Sequence, residues 1–313
     1  MSAPDLSVLI GGVRFKNPVL AASGCFGYGS EMEPLIPASL FGGVVTKTIL
    51  DLQRPGNAAP RIIETPSGLI NSIGLEGVGI DRYLEEKVPK LVGVDTRLVV
   101  SVGGHDIEEF ARLAARLDRI DRVDALELNI SCPNVDGGTD FSTDPELAAA
   151  TVRAVKRVTG KPIWAKLTPN VSRISVIGQA CEEAGADALS AVNTFTGMSI
   201  DIQTGRMILP RGAGGTSGPA IRPLALAKVW ELVRHVGIPV VGIGGIATAR
   251  DAIEFLITGA TAVQLGTVLY IDPDAPRAVV AGLSDHLVAR GLRDVNDLIG
   301  TLRGREERPA QPS

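Results

Sequence analysis

The run Asn129-Ile130-Ser131-Cys132-Pro133-Asn134 brings a thiol and two carboxamides together. A thiol ionises near pKa ~8.5, close to working pH, so a positioned cysteine can accept a proton as a general base. Carboxamides both donate and accept, which suits a ligand rich in imide and carboxylate groups. Asn71 and Asn193 could add to that set. Taken singly, such residues carry little weight: a lone Cys is usually a small buried hydrophobe, and an Asn after a strand is usually a turn residue. Their position changes this. Ala125-Leu126-Glu127-Leu128 reads as a short buried strand, and Pro133 cannot donate to a strand ladder. The polar run therefore begins where a buried strand ends. In a parallel α/β barrel that end faces the active site.

Seven further strands are expected around this one. Pro18 to Gly24, Gly42 to Thr48 and Leu98 to Gly104 precede it, and Pro162 to Leu167, Asp187 to Thr194, Pro239 to Gly245 and Thr261 to Thr267 follow. Helices are expected around Asp81 to Leu91 and over Ile107 to Leu117, where Ile107, Phe110, Ala111, Ala114 and Leu117 share one face. Asp144-Pro145-Glu146 reads as an N-cap with proline in the first turn, opening a helix to Val158. Further helices are expected over Ile174 to Ala184 (stopped by Gly185), Leu224 to His235, Thr248 to about Gly259 and Pro273 to Arg290. Regular strand–helix alternation implies parallel strands, and eight of them fit a (β/α)8 TIM barrel better than an open sheet. Leu6 to Phe15 reads as an N-terminal β-hairpin around Gly11-Gly12, placed to plug the barrel's lower end. Asp51 to Leu75 reads as a long functional connection without regular structure, and Phe195 to Pro219 as a Gly-rich insert after strand six, a lid or small hairpin. The expected organisation is one barrel domain over residues 1–303 and a loose, charged tail over 304–313.

Polar side chains then fall at almost every strand's carboxyl end: Ser23, Lys47, Ser101, Asn129, Cys132, Lys166, Asn193 and Thr194. The last two strands add Gly242-Ile243-Gly244-Gly245-Ile246 before a helix beginning at Thr248, and Gly266-Thr267. Barrels often hold a phosphate between these two loops, using backbone amides and a helix N-terminus. The implied ligand is a phosphorylated cofactor lying toward Lys166 and Lys47. Lysines beside an aromatic ring suit a flavin, because positive charge near the ring's N1/O2 edge stabilises the anionic reduced form. A base over one face of a substrate and a flavin under the other is an arrangement for α,β-dehydrogenation.

The composition excludes other classes. Hydrophobic residues make up 45% and charged residues 21%, and the formal net charge is -4, so no nucleic-acid footprint is expected. No apolar stretch approaches the ~18 residues of a membrane span, and Met1 to Gly12 lacks the pattern of a signal peptide. Cys25, Cys132 and Cys181 match neither a disulfide framework nor a zinc pattern, and cannot supply the four thiolates of an iron–sulfur cluster. A reducing, cytoplasmic setting is the expectation.

Asn129-Ile130-Ser131-Cys132-Pro133-Asn134-Val135 resembles the active-site loop of class 1 dihydroorotate dehydrogenases. The resemblance runs from about Leu6 to Leu302. It includes Ala22-Ser23-Gly24, Val45-Thr46-Lys47-Thr48, Asn71-Ser72-Ile73-Gly74-Leu75, Lys166-Leu167-Thr168-Pro169-Asn170, Val192-Asn193-Thr194, Gly215-Thr216-Ser217-Gly218-Pro219-Ala220, Gly244-Gly245 and Gly266-Thr267. It implies FMN and the oxidation of dihydroorotate to orotate in pyrimidine biosynthesis. Cys132 would take the C5 proton while hydride passes from C6 to flavin N5. Lys47, Asn71, Ser72, Ile73, Gly74, Leu75, Asn129, Asn134, Asn193 and Thr194 would hold substrate. Ser23, Lys47, Thr48, Ser101, Asn129, Lys166, Val192, Gly218, Gly244, Gly245, Gly266 and Thr267 would hold FMN.

Cysteine at the base position resembles class 1 rather than the membrane-linked class 2. Gly197-Met198-Ser199-Ile200-Asp201 and Ser217 to Pro223 resemble the NAD-linked B type. That type implies a homodimeric core in a heterotetramer with an electron-transfer subunit, which carries the FAD and [2Fe–2S] cluster this chain has no residues for. Cys25 departs from the family's pattern of a small residue such as Thr, which complicates thiol labelling as a probe of Cys132. The alternatives are a fumarate-linked or dihydropyrimidine-type FMN dehydrogenase on the same barrel, or a non-redox barrel that binds a phosphorylated metabolite.

Overall fold

The computed structural model describes residues 3–131, 141 and 143–304. Cys132, Asn134 and the tail from residue 305 lie outside the described residues. Eight parallel strands close into a barrel. In chain order they are β3 (Val19–Ala21), β4 (Gly43–Val45), β7 (Arg97–Val102), β8 (Ala125–Leu128), β9 (Ile163–Leu167), β10 (Ala188–Ala191), β15 (Val240–Ile243) and β16 (Ala262–Leu265). Each pairs with the next, and β16 returns to β3. Their burial is nearly continuous, as expected of parallel strands covered on both faces.

Helices surround the barrel: α1 (Gly79–Arg82), α2 (Ile107–Asp118), α3 (Pro145–Lys156), α4 (Ile174–Glu183), α5 (Arg222–Val233), α6 (Ala249–Thr258) and α7 (Ala275–Arg290). Their starts follow local chemistry. Asp144 caps α3 ahead of Pro145, as the sequence predicts, and Asp106 caps α2 by accepting from the Glu109 N–H. The helix expected over 81–91 is only partly α-helical. After α1 the chain takes a wider π-type turn over Tyr83–Lys87 and a 3-10 turn over Val88–Leu91. Pro89 has no N–H to continue an α-helical ladder.

The N-terminal hairpin is present as β1 (Val8–Ile10) and β2 (Val13–Phe15). Phe15 is fully buried, with its ring 5.7 Å from that of Trp164 on β9, so the hairpin plugs the barrel's lower end.

Two segments are more ordered than their sequences suggest. The connection 51–75 holds a hairpin, β5 (Ile62–Thr65) and β6 (Gly68–Asn71). The insert after strand six holds β11 (Phe195–Met198), a small hairpin of β12 (Ile200–Asp201) and β13 (Arg206–Met207), and β14 (Ala213–Ser217). These combine into one antiparallel sheet in the order β11-β14-β6-β5. The reason is non-local. Gly215 pairs with Asn71, far away in sequence, and a Cβ at Gly215 would fall 2.1 Å from Thr194 Oγ1. The glycines that make the insert look irregular let it lie this close to the barrel rim.

Among the described residues no helix is long and apolar enough to cross a membrane.

Candidate active site at the carboxyl ends of the strands

A cleft of about 210 Å³ opens at the carboxyl ends of the barrel strands. Ser23, Lys166, Val192, Asn193, Thr194, Gly218, Gly244, Gly245, Gly266 and Thr267 all contribute to its wall. Eight of the residues expected to hold a cofactor, and two of those expected to hold substrate, thus share one cavity.

Beside it runs a chain of short polar contacts linking four strand ends. Thr48 Oγ1 lies 3.1 Å from Ser101 Oγ, and Asn129 Nδ2 donates to Thr48 Oγ1 at 3.0 Å. Ser131 Oγ donates to Asn129 Oδ1 at 3.1 Å. Asn193 Nδ2 donates to Ser131 Oγ at 2.8 Å, and Asn193 Oδ1 accepts from the Thr194 N–H at 2.8 Å. Interlocked amides and hydroxyls hold one another's orientation before any ligand arrives. Thr48, Ser101 and Asn129 therefore join the site through this network rather than through the cleft wall. Ser131 is a link that the residue pattern did not single out.

The Asn71 to Leu75 segment forms a second rim. Asn71 Nδ2 donates to the Gly215 carbonyl at 3.1 Å, while Ser72 receives both its carbonyl and hydroxyl contacts from Asn57 Nδ2 at 3.0 Å. Ile73 O accepts from the Asn57 N–H at 2.9 Å, and a Cβ on Gly74 would meet the Asn57 side chain. Leu75 has φ 53°, alone among the described non-glycine residues in the left-handed region. Such backbone is held by its surroundings and clusters at ligand-binding segments. Lys47 is not in the cleft wall. Its ammonium lies 3.6 Å from Glu76 Oε2, which also pairs with Arg61.

The loops after β15 and β16, where the cradle is expected, both reach the cleft wall. The α6 N-terminus was expected to offer its amides to a phosphate. Part of it is already engaged, the Asp251 N–H donating to Thr248 Oγ1 at 3.3 Å. Thr248 and Asp251 form a capping box, and Asp251 Oδ2 accepts from the N–H groups of Ala247 at 3.0 Å and Thr248 at 2.9 Å. Burial pushes the Asp251 carboxyl up, but these hydrogen bonds and the Arg222 ion pair outweigh it and hold it below the usual carboxylate range. Gly244, Gly245, Gly266 and Thr267 line the cleft beside this N-terminus. Gly245 has φ +70°, and a Cβ there would fall 2.7 Å from the Gly218 carbonyl. Only glycine lets the insert's end close onto this loop. Thr267 Oγ1 donates to Ser217 Oγ at 2.8 Å and ties the two together.

Below the cleft, the barrel interior contains a buried carboxylate that the sequence reading gave no role. Glu127 is fully buried, with Oε1 3.4 Å from Lys166 Nζ and Oε2 accepting from Gln264 Nε2 at 3.1 Å. The signal for it was a single acid in the apolar run Ala125 to Leu128.

Cys25 also reaches the cleft. Burial raises its thiol pKa, opposed by a hydrogen bond with Tyr270 and the charge of Lys166. Cys181 is buried in α4, which pushes its thiol up to about 12. Both thiols are therefore protonated at neutral pH and poor nucleophiles. We expect rapid iodoacetamide labelling at pH 7.5 to be unchanged in a Cys25→Ser/Cys181→Ser variant, read by mass spectrometry of peptides. Loss of the fast-labelling fraction would show that one of these two thiols carries it.

A larger depression of about 440 Å³ lies at the opposite, amino end of the barrel. Its cations are engaged by the protein. Lys16 Nζ binds the Ser39 and Asp95 carbonyls and the Asp95 carboxylate, and Arg97 and Arg122 both pair with Asp124. The chemistry-bearing residues gather at the other end.

Comparison with known proteins agrees with this geometry. Residues 5–287 match the family model described as "Dihydroorotate dehydrogenase". The chain is 49% identical over 304 residues to a Geotalea daltonii protein named "Dihydroorotate dehydrogenase B (NAD(+)), catalytic subunit", covering 97% of this chain and 100% of that one. Relatives of the same name from Trichlorobacter lovleyi and Geobacter sulfurreducens are each 49% identical, covering 96% of this chain and 99% of theirs. With the motif-bearing loops gathered at one barrel mouth and similarity running through nearly its whole length, the chain belongs to the dihydroorotate dehydrogenase family.

Proposed function

We propose that this protein is the catalytic subunit of an NAD-linked dihydroorotate dehydrogenase, oxidising dihydroorotate to orotate in pyrimidine biosynthesis. The observation that carries the reading is the single cleft in which Lys166, Asn193 and Thr194 meet the two glycine loops after β15 and β16. The residues fit FMN. The Gly245–Gly218 approach leaves backbone, not side chains, facing the expected phosphate, and Lys166 supplies a cation at the cleft floor. Ser23, Val192, Gly218, Gly244, Gly245, Gly266 and Thr267 would hold the cofactor. When bound, FMN supplies a two-electron acceptor for the hydride at substrate C6.

The chain's own residues do the rest. Cys132 takes the C5 proton as general base. Asn129 and Asn193, fixed by Thr48 and Ser131, present amide groups to the substrate's imide edge, joined by Asn71, Asn134 and Thr194. Lys47 offers a charge for the substrate carboxylate. The sheet β11-β14-β6-β5 covers the rim and limits water. Electrons leave through a separate subunit carrying FAD and a [2Fe–2S] cluster, as the word "subunit" in the relatives' names supports, around a homodimeric core in the cytoplasm.

The test is spectroscopic. The purified protein should be yellow, and anaerobic dihydroorotate should bleach it. A colourless protein that takes up no FMN overturns the reading. Rapid fumarate reduction by the isolated chain would instead make it the fumarate-linked type.

A further inference from the structure

We infer that Glu127 is a charge-setting counter-ion for Lys166, fixing the ammonium at the cleft floor and lowering the positive potential it projects into the cofactor site. The inference rests on the FMN reading above. Three observations carry it.

First, the contact crosses the barrel. Strand β16 pairs with β15 and β3, whereas β8 pairs with β7 and β9. The 3.1 Å bond between Gln264 on β16 and Glu127 on β8 must therefore span the interior. Glu127 is a central group, gripped from the opposite wall, and not a side chain facing the helices.

Second, stability does not explain the pair. Two buried charges lose much hydration, and neutral, well-packed replacements are often equally stable or more so. The polar groups here are also incompletely satisfied. Glu127 Oε1 reaches Lys166 at ion-pair distance but without hydrogen-bond geometry. Gln264 Oε1 and Ser190 Oγ are buried without a hydrogen-bond partner among the described residues. Ser190 is in register with Lys166.

Third, Lys166 is the member of the pair that also forms part of the cleft wall. Glu127 is its only charged neighbour within salt-bridge distance among the described residues. With the carboxylate present, the pair is formally neutral. Without it, a whole positive charge would stand at the wall of the cofactor site. In a water-poor site such a charge acts over several ångströms. Glu127 thus acts through Lys166 and is a positioning residue, not a catalytic one.

The test uses sulfite, which adds reversibly to flavins, bleaches them and leaves negative charge on the ring. Holo wild type and Glu127→Gln are titrated with sulfite at one pH and ionic strength. The neutral, nearly isosteric side chain should bind sulfite about ten-fold more tightly or better, because the Lys166 charge is uncompensated. Glu127→Asp, which keeps the charge, should stay close to wild type. A purely structural role for Glu127 would disturb the shorter Asp and spare Gln. Should Glu127→Gln not accumulate as a flavoprotein, Lys166→Met is compared with Lys166→Met/Glu127→Gln. The lone carboxylate should then weaken sulfite binding by a similar factor. Equal sulfite affinity within either pair overturns the inference. The two readings fail separately. A protein without FMN sinks the proposed function, whereas a flavoprotein bleached by dihydroorotate but indifferent to Glu127→Gln sinks only the counter-ion role.

Discussion

Cys132→Ser should retain FMN and its absorbance spectrum while reduction by dihydroorotate slows by about 10²–10⁴-fold at neutral pH, the range that positioned general bases contribute. The argument is acidity. A thiol with pKa near ~8.5 is partly ionised at pH 7 to 8, whereas an alcohol is not. The rest of the site should survive the change. Asn129, Ser131 and Asn193 are held by one another and by Thr48. The measurement is anaerobic stopped-flow mixing of enzyme with dihydroorotate, following flavin bleaching across pH. In wild type the rate should rise with pH as the thiolate fraction grows, then level off. In the serine variant the levelling should vanish from the accessible range. An unchanged rate would remove Cys132 from the base role. Selective loss of FMN would make its role one of cofactor binding.

Lys166→Met should be the most destabilising single change among the cleft residues. It removes one member of a buried pair and leaves Glu127, which is wholly inaccessible to water, without a counter-charge. Breaking a buried pair from one side costs about 3–5 kcal/mol, whereas replacing both members with neutral groups costs much less. Urea unfolding of the apo forms should therefore show a large fall in midpoint for Lys166→Met. Most of it should be recovered in Lys166→Met/Glu127→Gln. Additive losses in the double variant would mean that the two side chains are not energetically coupled. Using apo protein separates this effect from any loss of bound cofactor, which would lower apparent stability by mass action.

The barrel was legible because its signals are local. Short apolar runs such as Leu98 to Val102 and Pro239 to Ile243 lie between amphipathic or capped helices, and the period of each segment can be read without knowing its partner. The cap at Asp144 is equally local, and the structure uses it. Element ends shifted by a residue or two, as at α5, which spans Arg222–Val233 where Leu224 to His235 was expected. The rim sheet was not legible. Its strands β6 and β14 are weakly patterned, and the pairing of Gly215 with Asn71 joins segments with half of the barrel's strands between them. The start of α6 was less legible for a different reason. Thr248 and Asp251 can be recognised as a capping box, but only the fold shows the Asp251 carboxylate taking the N–H groups of Ala247 and Thr248.

Cys132 shows the division most clearly. Residue order alone placed it at a strand's carboxyl end, beside two carboxamides and ahead of a proline, because strand periodicity and proline's missing donor are properties of the chain itself. The same order identified lysines and glycine pairs at other strand ends as its companions. It could not show which of them meet. Closure of the barrel brought Lys166 into the cleft wall, turned Lys47 toward Glu76, and joined Thr48, Ser101, Asn129 and Asn193 in one network. It also set Glu127 across the interior from Gln264. Such contacts depend on strand register and on the curvature of the closed sheet, which no local pattern carries. An acid in an apolar run is an anomaly in the sequence, and only the barrel supplies its counter-ion.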